Sequence, residues 1–169
     1  INHDEKTARG LPKEKRAEKR ELVKTLLHQA SQAFSSVEYD SAEEHYLAAI
    51  KNDAKNKEAY LGLGDVYFAQ DQLDEACETY GFVLHLDTNN EHAILRLAEI
   101  AEKQGKAQQA VEYYQQLVLL NDAIAGRFAK LFDLLWSLGQ YDSALEAIRQ
   151  AVSLEPQNPK YLDNLIEAS

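Results

Sequence analysis

Apolar positions along this chain recur at helical spacing, and the small residues among them return every 34 positions. Ala30, Gly64 and Ala98 share one slot of that period, and Ala42, Ala76, Ala110 and Ala144 share another. Four residues after the second slot stand Tyr46, Tyr80, Tyr114 and Ile148. This rhythm predicts pairs of antiparallel helices whose backbones nearly touch. A large side chain at such a crossing overpacks it, costing about 1–3 kcal/mol. Each bulky residue fills the wider space one turn along, burial worth about 1.5–3 kcal/mol. The period places four repeats without insertion, at 23–56, 57–90, 91–124 and 125–158.

The stretch 56–90 carries the pattern most fully. Tyr60, Leu63, Gly64, Tyr67, Ala76, Tyr80 and Val83 run as aromatic, Leu-Gly, Tyr, then Ala, aromatic and a small residue. This resembles the tetratricopeptide repeat, a helix–turn–helix unit of about 34 residues. The resemblance implies an all-α, right-handed superhelical solenoid of antiparallel helix hairpins. Two repeats depart from the pattern. The first has Gln29 where Leu is usual, which a terminal repeat tolerates. The fourth has Phe132 in the small slot and Ile148 in the aromatic slot, so its first helix is expected to pack differently, with a wider spacing. Only the last connection, EPQNPK, has the Pro of the family pattern, Pro156.

Residues 1–11 have no periodicity and few apolar groups, and are expected to be mobile. Pro12 suits the first position of a helix, where its missing N–H leaves nothing unpaired. Leu22, Leu26, Ala30 and Ala33 then line one helical face. The basic segment 1–22 is therefore partly disordered or extends the first helix. Its like-charge rows, Lys15 with Lys19 and Arg16 with Arg20 and Lys24, each weaken an isolated helix by a few tenths of a kcal/mol per pair. They read as a solvated, fraying end or as a stripe that docks on an acidic partner, another subunit or an anionic membrane. Helix starts are signalled by Asp40-Ser41, Asp74-Glu75 and Asp142-Ser143. Gly105 and Gly139 share a slot that suits a left-handed helix C-cap. Residues 159–169, with Tyr161, Leu162, Leu165 and Ile166 on one face, are expected to form a capping helix for the last repeat.

Composition narrows the function. The 169 residues carry a net charge of −10, unevenly shared: 1–24 have a net of +3 and the remainder −13. An acidic body repels nucleic-acid phosphate, and no nucleic-acid partner is expected. The longest aliphatic run, Leu117 to Leu120, is far short of the roughly 20 apolar residues that span a bilayer. The expected location is cytoplasmic, with a membrane tether upstream as the alternative. A chain that starts at Ile1 and holds no Met is expected to be a piece of a longer product. The lone Cys77 excludes an internal disulfide framework and is expected to be a buried, inert thiol.

No motif of weight for catalysis, metal or cofactor emerges. Glu43-Glu44-His45 lacks the second His of a zinc helix, and Asp87–Glu91 has His92 where a calcium loop needs Gly. The expected protein is not an enzyme and has no cofactor. The resemblance instead implies that the first helices of successive repeats line a concave groove where peptides lie. Counting along those helices assigns Phe34, Leu61, Asp65, Phe68, Leu95, Arg96, Glu99, Lys130, Asp133 and Trp136 to that groove. Ser31, Asp65, Glu99 and Asp133 share one slot, an acidic ladder that Glu167 continues, and Phe34, Phe68 and Trp136 share another, broken by Glu102. Ordinary repeat packing and solvation explain the same rows without a ligand. Of the slots with which some family members clamp a peptide carboxylate, held here by Leu27, Ser31, Gly62, His92 and Arg96, only Arg96 fits. The expected function is a protein-interaction scaffold for a peptide or partner protein with basic or apolar side chains. The alternative is a self-associating homo-oligomer or membrane-tethered assembly module.

Overall fold

The computed structural model describes residues 12–168, and every regular element among them is an α-helix. In chain order these are α1 Lys13–Ser35, α2 Tyr39–Asn52, α3 Lys57–Ala69, α4 Leu73–Leu86, α5 Glu91–Lys103, α6 Ala107–Leu120, α7 Ala125–Ser137, α8 Tyr141–Leu154 and α9 Pro159–Ala168. The mobility expected of residues 1–11 concerns a segment outside the described residues, as is Ser169. The chain divides into two compact units, Ile1–Thr88 and Asn89–Ser169. No Gly- or Ser-rich linker announces that division. In a repeat array each hairpin packs only on its neighbours, so a boundary needs none.

In the first unit α1 pairs with α2, α3 with α4, and α2 also packs on α3. Its core gathers Ala30, Ala42, Tyr46, Ala59, Leu63 and Val66. Close approach is enforced at two glycines. A Cβ on Gly64 would lie 2.6 Å from the Tyr80 ring, and one on Gly62 would collide with the Tyr46 ring. In the second unit α5 pairs with α6, α7 with α8, α6 packs on α7, and α9 lies against α8. Ala98, Ala110 and Ala144 are fully buried there, as are Ala42 and Ala76 in the first unit.

The wider spacing expected of the fourth hairpin is not found. α7 and α8 pack as intimately as the other pairs, with Phe132 and Ile148 both buried. The ring sits on the first helix and an aliphatic residue on the second, a bulkier pair than Gly or Ala with Tyr at the same slots, and the hairpin buries both.

The turns within hairpins also differ from expectation. α2, α4 and α8 begin at Tyr39, Leu73 and Tyr141, ahead of the acidic residues, and their N-cap side chains make no capping bond. Asp40, Asp74 and Asp142 instead sit in the first turn, where a carboxylate favours the positive helix end. The register is set by the end of the preceding helix. Glu38 N–H donates to Ala33 O and Val37 N–H to Phe34 O, at 2.9 and 3.0 Å. The same pair of bonds recurs at Gln72, Lys106 and Gln140 and the residue before each, so all four turns are Schellman motifs. The motif needs a left-handed residue, and Val37, Asp71, Gly105 and Gly139 supply it with φ of 63, 59, 70 and 72°. Between hairpins, the Asn56 and Asn90 side chains accept from Ala59 and Ala93 N–H at 3.0 Å and cap α3 and α5. Cys77, expected to be buried, is partly exposed.

Candidate functional site

In the first unit the candidate residues lie on α1 and α3. Phe34 is half-buried, rests on the core and has its ring 5.8 Å from Tyr39. Leu61, Asp65 and Phe68 follow each other at one-turn spacing along α3, all half-buried. Asp65 is tied to the fold: its Oδ1 accepts the Tyr80 hydroxyl at 2.6 Å. A buried phenol requires an acceptor, and this carboxylate provides it from across the hairpin.

In the second unit the candidates lie on α5 and α7. Leu95 is half-buried. The Arg96 guanidinium donates to Glu99 Oε2 at 2.8 Å on the same helix. Lys130 Nζ reaches from α7 to Glu102 Oε2 on α5 at 2.8 Å. The other oxygen of Glu102 accepts the Tyr114 hydroxyl at 2.7 Å. Burial, then the bond to Glu102, then the charges of Glu102 and Glu99 push the Tyr114 phenol far above the usual tyrosine range. Glu102, which interrupts the aromatic row, thus links α5, α6 and α7, as Arg127 does through Glu91 and the Leu117 carbonyl. The signal for it lay in the tyrosine slot, because a buried phenol requires a hydrogen-bond acceptor. Tyr67 follows the same rule with Glu43 at 3.0 Å, and burial with that bond raises it to about 12.

Lys130, Asp133 and Trp136 form one stripe along α7 at three-residue spacing, all exposed. Trp136 keeps 38% of its surface in solvent although Phe132 lies 5.6 Å from its ring and Tyr141 meets it edge-on at 4.8 Å. Tyr141, absent from the sequence-based set, is itself 54% exposed and completes an aromatic surface patch. Among the described residues no group of three or more His, Cys, Asp or Glu is placed to hold a metal, and no helix is long and apolar enough to cross a membrane.

Family models of the tetratricopeptide repeat match residues 28–81, 92–120 and 133–158. No curated protein sequence matches the chain. Among solved structures, one of the MamA protein is 24% identical, covers 88% of this chain and 81% of its own, and superposes with a TM-score of 0.78. YrrB, described as a TPR protein with an unusual peptide-binding site, is 22% identical over 85% of this chain and 74% of its own, with a TM-score of 0.74. MamA from Desulfovibrio magneticus RS-1, from residue 41 to its end, is 18% identical over 87% of this chain and 83% of its own, with a TM-score of 0.77. Such likenesses carry the fold, an all-α solenoid of helix hairpins. With repeat models matching in both units and these helix pairings, the chain belongs to the tetratricopeptide-repeat family.

Proposed function

We propose that this protein is a non-catalytic interaction scaffold whose first helices bind a peptide or partner protein bearing apolar and basic side chains. The observation that carries the reading is Trp136, a large ring left 38% exposed while held between Phe132 and Tyr141. A ring already fixed by its neighbours loses little freedom on binding, and tryptophan is enriched among residues that dominate interface energetics. Asp133, one turn before it, faces solvent and is placed to orient a Lys or Arg of the ligand. Within the same unit Leu95 supplies further apolar surface and Glu99 adds negative potential. Arg96 and Lys130, held by Glu99 and Glu102, exchange those partners for a carboxylate or carbonyls of the ligand. Membership of a repeat family built for protein contacts supports the same reading.

The test uses a labelled peptide of alternating Lys and Leu and fluorescence anisotropy. Trp136→Ala combined with Asp133→Lys is expected to weaken binding by about thirtyfold or more, with helicity unchanged by circular dichroism. The helicity control separates a lost contact from a lost fold, since Trp136 also packs on Phe132 and Tyr141. Asp65→Lys is a poorer probe, because it also strips Tyr80 of its acceptor. Unaltered affinity in the double variant would remove α7 from the binding face.

A further inference from the structure

α1 has 23 residues where the other first helices, α3, α5 and α7, have 13 each. The surplus turns add about 15 Å of helix. They extend from the hairpin's N-terminal end, and none of residues 13–22 is buried. They overhang the connection between α2 and α3 and enclose with it a cleft of about 440 Å³. One wall carries Arg16, Lys19, Arg20 and Lys24, and Val23 and Leu27 make an apolar floor. Across from them, among the described residues, stand Asp53 and Glu58. Arg16, Arg20 and Lys24 follow at one-turn spacing, so the wall repels itself, and the Lys24–Glu21 pair, 2.8 Å and 71% exposed on both sides, relieves little of that.

We infer that this cleft is a second interaction site, distinct from the face of Trp136, for an acidic peptide segment that inserts an apolar side chain between its carboxylates. The charge of the wall selects the acidic groups, and partial desolvation between helix and connection strengthens each contact. The floor of Val23 and Leu27 demands an apolar anchor, which a bare polyanion lacks. Asp53 and Glu58 on the opposite rim, together with the net −13 beyond residue 24, oppose a nucleic-acid backbone. The two sites therefore take ligands of opposite charge.

The experiment is anisotropy titration of the whole chain with a labelled peptide of repeated Glu-Glu-Leu, beside the same peptide with Ser for Leu. The Leu peptide is expected to bind and the Ser peptide to bind at least about fivefold more weakly, because the lost anchor forfeits apolar burial. Lys19→Glu with Arg20→Glu should weaken the Leu peptide by about tenfold or more. Lys13→Glu with Lys15→Glu makes the same change of charge on the same helix outside the cleft, and should alter affinity by less than about threefold. Equal losses in the two double variants would show a diffuse charge effect and overturn the site. So would binding of the wild type to vesicles containing phosphatidylserine without binding to the Leu peptide. The Trp136→Ala, Asp133→Lys variant should bind this acidic peptide as the wild type does, which separates failure of one site from failure of the other.

Discussion

The two units meet the same structural demands at equivalent positions with different residues. In the first, the crossing of α3 and α4 sets Gly64 beneath Tyr80, whereas in the second α7 and α8 bury Phe132 and Ile148 at the corresponding slots. The turns show the reverse economy. The second unit places glycine at its left-handed positions, 105 and 139, and the first places Val37 and Asp71 there. The linker slot is capped by Asn56 and Asn90 but occupied by Ile124 ahead of α7, which makes no capping bond. A repeat slot thus specifies a task, whether volume, backbone hand or a capped amide, and neighbouring slots share its execution.

The sharpest way to break this comparison is to put Phe at position 64. Gly64→Phe alone is expected to cost about 3 kcal/mol or more in urea unfolding, because its ring must displace that of Tyr80. Adding Tyr80→Ile reproduces the pair found at 132 and 148 and should restore about half of that loss or more. A double variant no more stable than the single one would mean that volume is not shared across the crossing.

Next come the turns. At Gly139 an added Cβ meets nothing, so Gly139→Val costs only the left-handed backbone, about 1–2 kcal/mol. Val37 is 65% exposed and already carries that strain. Val37→Gly should therefore stabilise the first unit, by less than about 1 kcal/mol once glycine's extra chain entropy is deducted. Loss of stability in Val37→Gly would show that the side chain, and not the backbone, matters there. Smaller again are the caps: Asn90→Ala should cost about 1 kcal/mol, and Ile124→Asn should gain a few tenths to about 1 kcal/mol. A melting temperature lowered by Ile124→Asn would point to a packing role for the isoleucine.

The last effect is fully present at neutral pH and reveals itself only as pH rises above the ordinary tyrosine value. The folded chain holds the Tyr67 phenol at about 12 against an ordinary 10. Between those values the unfolded chain has lost this proton and the folded chain keeps it, so stability falls as pH rises through the window. Below the ordinary value the contribution is complete. Tyr67→Phe should flatten the decline of melting temperature with pH across that range, and an unchanged slope would exclude this phenol as its source.

The helix hairpins were legible because small residues repeat at a fixed interval, and buried positions such as Ala42, Ala76, Ala110 and Ala144 sit where that interval puts them. Gly105 and Gly139 also announced their turns. Val37 did not, since a β-branched residue disfavours a left-handed position, and Asp71 marks one far more weakly than glycine does. Of the candidate surface, the α7 stripe could be read from spacing. The partners of Asp65 and Lys130 could not, because each depends on where a neighbouring helix delivers its side chain, whereas Arg96 pairs with Glu99 three residues on along its own helix.

The amino-acid order alone determined the helical class, the pairing of helices and the slots that must be small, since these follow from local periodicity and side-chain volume. Only the tertiary structure decided which large residue fills each crossing, which carboxylates accept from Tyr80 and Tyr114, and that the overlong α1 shelters a cationic cleft. Those outcomes depend on distances between residues far apart in the chain, set by the joint packing of several helices.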